Sequence, residues 1–146
     1  MHPLNAYMVL FVGAMSLTSS TRAEEYDVQC PVSIETDALK VVKTPSNWTA
    51  AVQGPFWLHS AGPMDGPPSD MAVLKEDVYT KRVGKKKVTK WDLSGTFSAG
   101  KWMACKYGYT NDFILSKKLD EKTSGCTVTS IEQASGKVDI TIRCRR

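Results

Sequence analysis

The sequence predicts a mainly β protein, a small antiparallel sandwich or open barrel stapled by two disulfides. Three observations carry that expectation. Short runs alternate apolar and polar residues with a period of two and are bounded by Gly, Pro, Asn and Asp turns. Beyond the first segment, no helix-length run shows the 3.6-residue period of an amphipathic helix. Cys30, Cys105, Cys126 and Cys144 are even in number and too widely spaced for paired metal ligands, which favours disulfides.

Along the chain, residues 6–17 form an apolar run of export-core length, too short to cross a bilayer. Thr21-Arg22-Ala23 supplies small side chains for a cleavage site. Residues 1–23 are therefore expected to be a signal peptide and residues 24–146 a single secreted β domain of common size. Glu24, not a cysteine, follows the cut, so no lipid anchor is expected.

Residues 26–34 alternate as a half-buried strand interrupted at Pro31, whose missing donor places it at an edge or bulge. Residues 36–43 are ambiguous between strand and short helix, Pro45-Ser46-Asn47 is a turn, and residues 48–52 read as a short strand. Residues 54–70 are dense in proline and glycine; a brief strand over 56–60 is expected, followed by a long loop over 62–69. Residues 80–92 read as two strands around Gly84, carrying Lys81, Arg82, Lys85, Lys86, Lys87 and Lys90. Residues 102–109 and 113–119 form a hairpin about Thr110-Asn111-Asp112, with Met103, Cys105, Tyr107 and Tyr109 on one side. Residues 126–133 and 137–144 form another about Ala134-Ser135-Gly136.

Four cysteines allow three connectivities. In that last hairpin Cys126 and Cys144 are nearly opposite, where Cα atoms about 4.5 Å apart approach the short limit of a disulfide. Bonds Cys105–Cys126 and Cys30–Cys144 are expected instead.

A formal net charge of +4 is too mild for a dedicated nucleic-acid binder. No apolar stretch after the leader is long enough for membrane insertion after processing. His59 is the one histidine outside the leader, and no nucleophile elbow, metalloprotease motif or phosphate loop occurs, so neither catalysis nor a cofactor is expected. Asp65 and Asp70 bracket Gly-Pro-Pro-Ser, with too few oxygens for calcium, and no metal site is expected.

What remains is a surface for a protein partner. Phe56, Trp57, His59, Met64 and Asp65 lie in a proline-stiffened stretch, and apolar anchors held rigid lose little entropy on docking. The six basic residues from Lys81 to Lys90, with Lys85, Lys86 and Lys87 at their centre, offer a positive edge that would steer an acidic partner, an anionic cell-wall polymer or lipid headgroups. The plainer alternative has Phe56 and Leu58 in the core, Trp57 covering a strand, and the lysines blocking strand-to-strand aggregation.

The ordered residues Cys30-Pro31, Trp48, Asp65-Gly66-Pro67-Pro68, Leu74-Lys75-Glu76-Asp77, Trp91, Trp102-Met103-Ala104-Cys105-Lys106-Tyr107, Cys126 and Cys144 make a signature spanning nearly the whole mature chain. The chain resembles a family of small exported, four-cysteine, largely uncharacterised proteins of Gram-negative bacteria, some encoded near type VI secretion genes. Many relatives carry proline where Lys75 or Glu76 stands. The resemblance implies the periplasm and an immunity protein that blocks a cell-wall-targeting secreted toxin. The alternative is an envelope glycan-binding module or a lysozyme inhibitor.

Overall fold

The structure is a computed structural model and describes residues 23–76 and 80–146. The expected signal peptide, but for Ala23, lies outside the described residues. The strands are β1 (Glu25–Val28), β2 (Ser33–Ile34), β3 (Phe56–Asp65), β4 (Thr80–Val83), β5 (Lys86–Asp92), β6 (Lys101–Tyr107), β7 (Phe113–Lys118), β8 (Gly125–Glu132) and β9 (Val138–Arg145). They form two antiparallel sheets, a five-stranded one in the order β1-β9-β8-β5-β4 and a four-stranded one in the order β2-β3-β6-β7. The sheets are open rather than closed into a barrel, and β3 packs across β8 and β9.

Period-two alternation explains the core. Trp91 on β5, Cys126 and Val128 on β8, and Ile142 and Cys144 on β9 point inward and are buried with Leu93 and Met103. A second cluster gathers Ile34, Leu58, Cys105 and Tyr107. The buried Tyr107 hydroxyl donates to the Pro31 carbonyl at 2.9 Å, so its polar end is satisfied. Lys101 is also buried; its ammonium donates to the Glu121 and Thr123 carbonyls at 2.9 and 2.8 Å, tying β6 to the loop before β8.

The disulfides differ from the expected pairs. Cys105–Cys126 and Cys30–Cys144 do not form; the bonds are Cys30–Cys105 and Cys126–Cys144. Cys30 sits where the chain passes from one sheet to the other, against both core clusters, and so meets Cys105 on β6. Cys126 and Cys144 are ladder partners whose Cα atoms lie 4.1 Å apart. That is close to a non-hydrogen-bonded antiparallel pair, so the spacing thought unfavourable is the one adopted.

Three strand expectations are corrected as well. The run over 26–34 is two strands, not one: β1 pairs with β9 and β2 with β3, and the break at Gln29-Cys30-Pro31 transfers the chain between sheets. Residues 48–52 form no strand. The brief strand over 56–60 instead extends to Asp65, so the loop begins after it. Pro63 is tolerated because its carbonyl accepts from Leu74 N on the side away from β6; its ring nitrogen shares that side, and no bond of the β3–β6 ladder is lost.

Candidate functional site

The five-stranded sheet is longer than its cover. Beyond β3, toward the β4–β5 and β8–β9 turns, inward positions of the same parity change character. Trp91 and Thr89 give way to Lys87, Val128 to Ser130 and Glu132, and Arg82 joins them from β4. The uncovered end forms a trough of about 500 Å³ between His59 and Ser60 on β3 and these polar residues. Past His59 and Tyr109 it continues into a recess of about 560 Å³ beside Trp57 and Lys137.

Hydrogen bonds hold the aromatic wall. Gly108 N donates to the Trp57 carbonyl at 3.0 Å, and the Ser60 hydroxyl donates to Asn111 Oδ1 at 2.8 Å, which fixes the β6–β7 turn against β3. Gly108 takes φ +81°, a left-handed conformation that suits glycine. The turn presents Tyr109, 90% exposed, with its ring 5.5 Å from that of His59. The Lys137 ammonium lies 3.4 Å from the centroid of Trp57 and occupies one face of the indole.

The opposite wall is net cationic, with Arg82, Lys85 and Lys87 against Glu76 and Glu132. The two-residue turn at Gly84-Lys85 sets Arg82 directly across from Lys87. Lys87 donates to Glu76 Oε1 at 2.7 Å, and the Thr80 hydroxyl donates to Glu76 Oε2 at 3.1 Å. The Lys87 hydrogen bond holds the Glu76 carboxyl below the usual carboxylate range. Among the described residues Arg82 and Lys85 form no ion pair.

Of the residues singled out from the sequence, Trp57, His59, Lys85 and Lys87 meet around the trough and its recess. Phe56 flanks them, half-buried, its ring edge-on to Phe113 at 4.5 Å. Met64 is a correction: it is completely enclosed and cannot anchor a partner, because β3 runs on under the 71–74 segment. Asp65 stands at the far end of β3, outside the trough lining, with Oδ1 enclosed and without a hydrogen-bond partner among the described residues. Lys86 has the opposite parity to Lys87 and belongs to the other face of β5. Tyr109 and Lys137 were not singled out, and Arg82 was read only as one of the six basic residues of the 80–92 segment. The Arg82–Lys87 juxtaposition was readable, since a two-residue turn at 84–85 sets 82 opposite 87, whereas Tyr109 and Lys137 reach the site only through packing of separate hairpins.

Among the described residues, no group of three or more His, Cys, Asp or Glu is placed to hold a metal, and no helix is long and apolar enough to cross a membrane. Fold and site together define a small two-sheet, disulfide-linked β protein whose distinctive surface is a recess with one aromatic and one cationic wall. A family model described as type VI secretion system Tli immunity protein matches residues 53–145, and the chain belongs to that family. The match runs from just before β3 through the end of β9 and contains every trough residue. No curated protein and no solved structure matches the chain.

Proposed function

We propose that this protein is a periplasmic immunity protein that neutralises a cognate type VI secretion toxin by docking the toxin in the trough, without chemistry of its own. The family match over residues 53–145 carries the reading, because the immunity role is that of the family and the matched span includes both walls of the trough. Two disulfides suit an oxidising compartment, in line with the export leader expected over residues 1–23. Trp57 and Tyr109 are the side chains best placed as anchors, since buried aromatics dominate the energetics of protein interfaces.

The reading predicts that a neighbouring gene encodes a secreted toxin, and the test is co-purification with its product. The two proteins are expected to co-elute, and Trp57→Ala with Tyr109→Ala is expected to weaken the complex by about 2 kcal/mol or more. Separate elution of the wild-type proteins at micromolar concentration would refute the reading.

A further inference from the structure

We infer that the segment of the toxin occupying the trough is acidic, with carboxylates seated between Arg82, Lys85 and Lys87 and an apolar side chain against Trp57 and Tyr109. The inference rests on the docking reading above and adds the chemistry of the occupant.

Two observations lead to it. The first is the register of the β4–β5 hairpin. Arg82 and Lys87 are cross-strand partners on the face that lines the trough. Like charges directly opposite destabilise a sheet, so the fold gives no reason for Arg82 to face Lys87. Glu76 answers Lys87, but Arg82 and Lys85 have no ion-pair partner among the described residues. Cross-strand side chains of this kind sit about 5 Å apart, a spacing that neighbouring carboxylates, or one bridging carboxylate, can satisfy.

The second observation is the distribution of charge. From Thr80 to Trp91 the chain carries Lys81, Arg82, Lys85, Lys86, Lys87 and Lys90 and no acidic residue. The potential of such a hairpin extends beyond contact distance and draws an oppositely charged surface toward the trough mouth. The aromatic wall at the other side favours a polypeptide occupant over a purely anionic surface such as lipid headgroups, because a phosphate layer would leave Trp57 and Tyr109 without apolar company.

The experiment uses the wild-type protein and the toxin from the adjacent gene. A carbodiimide that joins carboxylates to amines without a spacer is expected to link Asp or Glu residues of one toxin segment to Lys85 or Lys87, identified by mass spectrometry. Arg82→Glu with Lys85→Glu, checked for an unchanged melting temperature, is expected to slow association about tenfold or more, while raised salt slows the wild type toward the variant. The inference is overturned if cross-links map away from the trough, or if the charge-reversed protein binds the toxin as the wild type does. It is also overturned if vesicles of phosphatidylglycerol, not the toxin, lose binding to the charge-reversed protein. In each of these cases loss of toxin binding by the Trp57 and Tyr109 variant would leave the docking reading standing, whereas failure of the wild type to bind would remove that reading itself.

Discussion

The two ends of the inner face of the five-stranded sheet share strands, parity and backbone geometry, yet differ in chemistry. At the covered end Trp91, Cys126, Val128, Ile142 and Cys144 are buried under β3 and β6. At the open end Arg82, Lys87, Ser130 and Glu132 hold the equivalent inward positions on β4, β5 and β8 and meet solvent, while β9 stays apolar through the partly buried Val138 and Ile140. A strand pattern alone treats both as inside. The comparison shows that an inward side chain becomes core only where a second layer removes it from water, and that the uncovered remainder is where a partner can be accommodated.

The largest way to break the covered end is to cut its staples. Replacing Cys30 and Cys105 by Ala is expected to lower unfolding free energy by about 4–5 kcal/mol in the chain-entropy model, and replacing Cys126 and Cys144 by about 3 kcal/mol, because the first bond closes the longer loop. Denaturant unfolding of the two double variants checks both the size and the order. Next, Ile142→Ala removes a nearly enclosed side chain and is expected to cost about 2–5 kcal/mol, with toxin affinity of the folded fraction retained.

At the open end the pattern reverses. Arg82→Thr is expected to change stability by no more than about 0.5 kcal/mol, toward greater stability as the like-charge pair with Lys87 is relieved, while the toxin complex weakens; thermal melts and calorimetric titration read the two effects. The smallest effect belongs to Glu76. Its carboxyl, held low by Lys87, stabilises the fold above the ordinary glutamate pKa, and that contribution fades as pH falls through the folded value. Both partners are a third to a half exposed, so solvent keeps the contribution under about 1 kcal/mol. Glu76→Gln should abolish this part of the acid sensitivity and leave neutral-pH stability only slightly reduced, as measured by melting curves across the acid range.

Much of the fold was legible because hairpins are local. Gly84, Thr110-Asn111-Asp112 and Ala134-Ser135-Gly136 were placed as turns, and β4–β5, β6–β7 and β8–β9 form around them. The expectation failed where local patterns meet a distant partner. Alternation over 26–34 cannot say that its halves pair with different sheets, and the prolines near Gly62 cannot say that β3 continues with a free side for Pro63. The candidate site was half legible for the same reason: Trp57, His59, Lys85 and Lys87 were chosen for their residue type, while Met64 was misplaced because its burial depends on the 71–74 segment folding over it.

By itself the sequence determined the β class, the hairpins, the inward alternation of β6, β8 and β9 and the presence of two disulfides, since each follows from residues a few positions apart or from an even cysteine count. Only the tertiary structure decided which cysteines bond, which strands share a sheet, and how far the second sheet covers the first. Those outcomes depend on contacts between residues remote in the chain, whose closure no local alternation encodes, and the trough exists only because that coverage stops short.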